Sequence, residues 1–78
     1  MIIKLSDLKL GQRAKIIGFE AMGAACRQKM FAYGLMPGSE VELVRLAPLG
    51  DPMQLSVDGD VMLSIRKSEG QNVTANLA

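Results

Sequence analysis

Two stretches of this chain alternate apolar and polar residues, and each loses step once; that shared slip restricts the fold more than any other feature. From Arg13 to Phe19 the apolar residues fall at Ala14 and Ile16 and then at Ile17 and Phe19. From Glu40 to Leu46 they fall at Val41 and Leu43 and then at Val44 and Leu46, across polar Glu42 and Arg45. A period of two belongs to a strand, and a one-residue slip sends every later side chain to the opposite face unless an extra residue bulges out. Each stretch is therefore expected to be a strand bent at a bulge, and strands bent in this way curl around a core. With 78 residues the chain is expected to be one domain, residues 1–78, with a single small core. A chain of this length buries only about 60% of its unfolded surface.

The remaining segments fit around those two strands. Leu5-Ser6-Asp7-Leu8-Lys9-Leu10-Gly11 has a candidate cap at Ser6 or Asp7 and a glycine stop, which suits one turn of helix, with Leu5, Leu8 and Leu10 plugging one end of the core. Met22, Cys26, Met30 and Tyr33 recur at helical spacing, while Arg27, Gln28 and Lys29 point elsewhere and Gly34 ends the pattern. A helix is expected over Met22 to Tyr33. Pro37-Gly38 then forces a turn. Met53, Leu55 and Val57 face Val61, Leu63 and Ile65 across a hairpin. A three-residue loop, Asp58 to Asp60, pairs Val57 with Val61, whereas a two-residue turn would put Asp60 in the core row. Arg66 to Gln71 reads as a polar turn, and Val73, Ala75 and Leu77 as a last strand. The expected fold is mainly β: an SH3-like, partly open small β-barrel of about five strands with one inserted α-helix.

Composition narrows function mostly by what it lacks. No histidine is present, which removes the commonest neutral base and metal ligand. Cys26 lies on the apolar helical stripe and reads as a small core thiol; as the sole cysteine it forms no internal disulfide, which fits a reducing compartment. No glycine-rich phosphate loop occurs. The methionines Met22, Met30 and Met53 sit at core positions, whereas Met62 and Met36 are expected to face outward. The carboxylates Asp58 and Asp60 flank a glycine and are explained by the turn. Neither catalytic residue, cofactor nor metal site is expected. A net charge of +1 without a basic run argues against nucleic acid. No apolar stretch is long enough to enter and span a bilayer. Met1-Ile2-Ile3-Lys4 lacks the pattern of a signal peptide, so a cytoplasmic location is expected.

Two segments exceed what core and turn require. One is Arg27-Gln28-Lys29-Met30-Phe31-Ala32-Tyr33-Gly34-Leu35-Met36-Pro37-Gly38. The other is Ala47-Pro48-Leu49-Gly50-Asp51-Pro52, which holds two of the three prolines. Proline fixes φ and donates no hydrogen bond, so the hexapeptide is shaped as a connector or as a stiff, exposed recognition loop. Together with Leu5-x-x-Leu8-x-x-Gly11 and Arg66-Lys67-x-Glu69, these segments resemble the FeoA family of bacterial ferrous iron uptake over nearly the whole chain, roughly Leu5 to Leu77. Two departures stand out. Gly70 replaces the alanine frequent after the acidic residue, which weakens the expectation of a helical turn there, and Phe31 with Tyr33 replaces smaller aliphatic residues.

The resemblance implies an SH3-like barrel and an accessory protein that binds the cytosolic region of a FeoB-type, GTPase-containing iron permease, modulating its transport or nucleotide cycle at the inner face of the membrane. The expected contact surface is Arg27 and Lys29, the turn Leu35, Met36, Pro37 and Gly38, and the loop Pro48, Leu49, Gly50, Asp51 and Pro52. Three rivals stay open. A peptide-binding SH3 adaptor needs an aromatic groove, and only Phe19, Phe31 and Tyr33 are aromatic. The SH3-like module of a metal-dependent repressor has a similar barrel, but the chain carries no helix-turn-helix. A direct iron carrier needs carboxylate and imidazole ligands, and the carboxylates are scattered. Self-association through an exposed edge strand and Met62 is a further option.

Overall fold

A computed structural model describes residues 1–19 and 23–78; Met22, the first residue of the expected helical stripe, lies outside the described residues. Six strands form: β1 (Ile2–Lys4), β2 (Arg13–Phe19), β3 (Glu40–Leu46), β4 (Met53–Val57), β5 (Val61–Ile65) and β6 (Val73–Leu77). Two helices, α1 (Ala24–Ala32) and α2 (Lys67–Gly70), and a 3₁₀ turn at Leu5–Asp7 complete the described residues. The strands make one antiparallel sheet in the order β1-β6-β2-β3-β4-β5. The two edges, β1 and β5, do not pair with each other, so the barrel is open.

Both slipped alternations become bulges. The register of β2 against β6 shifts between Ile16 and Gly18, and that of β3 against β4 shifts between Leu43 and Arg45. Ile17 and Val44 are the extra residues, and both are exposed while Ile16 and Leu43 are buried. Ala14, Ile16, Val41, Leu43, Met53, Leu55, Val57, Ile65, Val73 and Ala75 then share one core with Leu5, Leu8, Met30 and Leu35. The hairpin takes the three-residue loop, with Val57 opposite Val61. Asp58 and Gly59 both have positive φ, at 53° and 72°. Asp58 is held there by donating its N–H to the Glu40 carbonyl at 2.7 Å and accepting the Glu40 N–H on its carboxylate at 2.9 Å.

Several expectations are corrected. Strand β1 makes six strands rather than five; Ile2-Ile3-Lys4 shows no alternation, and its partner β6 lies at the other end of the chain. Leu10 is exposed, because the chain turns away from the core at Gly11, whose φ is 82° and whose N–H reaches the Leu43 carbonyl. Neither Ser6 nor Asp7 caps the 3₁₀ turn. Val61, assigned to the inner row, is exposed although its partner Val57 is buried, because β5 is an edge of the sheet. The polar run after Arg66 is a helical turn, α2.

Candidate functional site

Helix α1 ends in a Schellman motif. Gly34, with φ 87°, donates its N–H to the Phe31 carbonyl at 2.9 Å, and Leu35 donates to the Met30 carbonyl at 3.0 Å. The apolar contact that accompanies this motif is formed by Leu35 and Met30, both wholly buried. Leu35 is thereby a core residue, and its side chain offers no surface to a partner. Met36 to Ser39 closes a turn, with Ser39 N–H donating to the Met36 carbonyl at 2.9 Å, Pro37 and Gly38 at its centre, and φ 96° at Gly38. Proline followed by a residue of positive φ is the pattern of a type II turn. Gly38 N–H reaches the Ile16 carbonyl at 2.7 Å and Ile16 N–H returns to the Ser39 carbonyl at 2.8 Å, so the turn is fastened to β2 at its bulge. The buried Ser39 hydroxyl donates to the Gly34 carbonyl and accepts the Met36 N–H, each at 3.2 Å. Of this segment Met36, Pro37 and Gly38 face solvent.

The loop 47–52 is built otherwise. Gly50, with φ 82°, donates its N–H to the Ala47 carbonyl at 2.7 Å, and Ala47 N–H reaches the Pro52 carbonyl at 3.2 Å. These bonds shape the hexapeptide from within, and the Asp51–Pro52 peptide is cis. Leu49 at the tip is 96% exposed, the largest exposure of any large apolar side chain described. Arg45, Leu46 and Gln54 join Ala47, Pro48 and Pro52 in lining a shallow cleft at the base of the loop. Arg45, Leu46 and Gln54 carry no motif of their own, and their one sequence signal is position, close on either side of the hexapeptide.

Helix α2 ties these parts together. Asp51 accepts the Lys67 N–H on its carboxylate at 2.9 Å, which anchors the loop to the first residue of α2. Glu69 accepts the Arg66 N–H at 3.0 Å and the Lys29 ammonium at 3.1 Å, which anchors α2 to α1. Gly70 packs on the 3₁₀ turn so closely that a Cβ there would lie 3.1 Å from the Ser6 nitrogen. The glycine that departs from the family pattern lets α2 lie this close, and an alanine there would need the 3₁₀ turn to give by a few tenths of an ångström. The aromatic departures also find partners: Phe31 meets Phe19 edge to face at 5.5 Å, and Tyr33 lies beneath the Lys29 ammonium at 5.8 Å.

Electrostatics follow the same links. The Arg66 backbone N–H, helped by Lys29, holds the Glu69 carboxyl below its ordinary value against the opposing effect of burial. Glu69 in turn raises Lys29. Lys29 is therefore committed to α2, whereas Arg27 forms no ion pair among the described residues and stays exposed. Cys26 is half-buried against the core. Among the described residues no three His, Cys, Asp or Glu side chains gather as a metal site would require. What the arrangement presents is a stiff apolar tip, Leu49, on a loop anchored to α2 at Asp51, with α1 joined to α2 by the Lys29–Glu69 pair and the Met36–Gly38 turn following α1.

A family model described as the FeoA domain matches residues 3–76. The FeoA protein of Chlorobium tepidum is 35% identical, with a TM-score of 0.86 over 96% of this chain and 70% of that chain. FeoA of Stenotrophomonas maltophilia, complexed with zinc and described as a procaryotic SH3 domain protein and a candidate ferrous iron transport activating factor, is 27% identical. Its TM-score is 0.79 over 95% of this chain and 89% of that chain. A manganese-dependent transcriptional repressor in complex with manganese shares the fold at 8% identity, with a TM-score of 0.89 over 99% of this chain and 37% of that chain.

Proposed function

This chain belongs to the FeoA family, and we propose that it serves ferrous iron uptake by docking on the cytosolic region of a FeoB-type permease and modulating its transport or nucleotide cycle. The observation that carries this reading is Leu49, 96% exposed on a loop with its own internal hydrogen bonds and an anchor at Asp51. A large apolar side chain held in solvent by a rigid loop loses little freedom on binding, and such preorganisation favours association. The cleft formed by Arg45, Leu46, Pro48, Pro52 and Gln54 continues the surface, and Met36, Pro37, Gly38 and Arg27 extend it. The role is one of binding, not catalysis, exerted from the cytoplasmic side of the membrane.

The test is capture of the purified chain by the cytosolic region of the permease, run alongside ferrous iron uptake in cells. Leu49→Asp and Met36→Asp each place a charge on the proposed surface without touching the core. Loss of both capture and uptake is the expected result; retention of both puts the contact elsewhere.

A further inference from the structure

The two edges of the sheet are defended unequally. β1 is three residues long and ends at Lys4, and beside it the terminal ammonium of Met1 is bound to Asn76 Oδ1 at 2.9 Å. β5 runs five residues, Val61-Met62-Leu63-Ser64-Ile65, and pairs in unbroken register with β4. No backbone hydrogen bond among the described residues leaves its other side. It has no proline, no bulge and no charged residue within the strand, the devices by which natural edges resist pairing. Val61 is 49% exposed and Met62 58%.

We infer that β5 pairs antiparallel with β5 of a second copy of this chain, about a two-fold axis through Leu63. The charges bounding the strand identify the occupant. Asp60 precedes it and Arg66 follows it, both exposed and neither in an ion pair among the described residues. Turning the same strand around the Leu63 axis sets Asp60 of each copy opposite Arg66 of the other, Val61 opposite Ile65 and Met62 opposite Ser64. Parallel pairing would instead oppose like charges at both ends, which is destabilising. The patch is therefore complementary to itself, as a two-fold interface requires. Val61 and Leu63 lie on the inner face, so pairing would cover the Val61 side chain that the sheet edge leaves exposed. No residue of β5 belongs to the Leu49 surface, although Arg66 adjoins it through the bond from the Lys67 N–H to Asp51, and the pairing does not depend on the permease.

Sedimentation of the wild-type chain over a concentration series reaching the millimolar range tests the proposal. The expected mass rises from the 8.4 kDa monomer toward twice that value. A chain carrying Met62→Lys with Ser64→Lys remains monomeric, as does one carrying Met62→Glu with Ser64→Glu. An equimolar mixture of the two recovers the dimer, because positions 62 and 64 face each other in this register. Both substituted positions are exposed, and circular dichroism checks that the variants are folded. A wild-type chain that stays monomeric throughout overturns the proposal. So does a dimer that survives the lysine substitutions, which would place the interface elsewhere. A monomeric wild type whose lysine variant loses permease binding also overturns it, and assigns the edge to the permease.

Discussion

The turn Leu35–Gly38 and the loop 47–52 have similar chemistry, each with proline, glycine and a large apolar side chain, yet the fold uses them in opposite ways. The turn buries Leu35, backs onto the buried Ser39 and exchanges hydrogen bonds with Ile16 in β2. The loop buries no large side chain and hangs from α2 by Asp51, with Leu49 in solvent. A segment that marks the family is thus not by that fact a surface. In this chain one completes the core, and the other has no core role.

That contrast is broken most easily at Leu35. Leu35→Ala is expected to cost about 2–5 kcal/mol by leaving a cavity at a wholly buried site, measured by urea denaturation. The fraction that remains folded should bind the permease normally. Gly38→Ala meets no atom within 4 Å but forces a side chain onto φ 96°, so strain rather than space sets its effect. The expected loss is about 1–2 kcal/mol, again by denaturation.

The loop predicts smaller losses of stability. Asp51→Ala removes the acceptor for Lys67 N–H and should cost about 1 kcal/mol, as other lost helix caps do. Hydrogen exchange at the Lys67 amide should accelerate, and permease affinity should fall, because the loop must then be ordered on binding. Glu69→Gln tests the brace between α2 and α1. The folded-state carboxyl is depressed below the ordinary value of 4.5, so Glu69 contributes stability above pH 4.5 that is lost as pH falls through the depressed value. Melting temperature followed against pH should decline less steeply for Glu69→Gln than for wild type across that acidic window.

Local periodicity made much of the fold legible. The slips at Ile16-Ile17 and Leu43-Val44 stated where the strands bulge, because a bulge leaves its mark on the alternation itself. The loop Asp58 to Asp60 followed from keeping carboxylates out of the core row. What escaped depended on distant partners. β1 is too short to show a period and is a strand only because β6 lies beside it. α2 looked like a turn because its N-terminal acceptor, Asp51, comes sixteen residues earlier in the chain. A local clue existed in Glu69, three residues after Arg66, the spacing of half a capping box. The site was legible as a set of segments, but its division into buried and exposed members was not, since Leu35 and Leu49 differ in packing and not in type.

Leu49→Asp is expected to move stability least, by no more than about 0.5 kcal/mol, because the residue touches no core. It is therefore the cleanest probe of docking. Calorimetric titration of this variant and of wild type against the purified cytosolic region of the permease should show affinity reduced by at least about tenfold, as loss of an apolar anchor implies. Equal affinities for the two proteins would contradict the assignment of the loop as the docking surface.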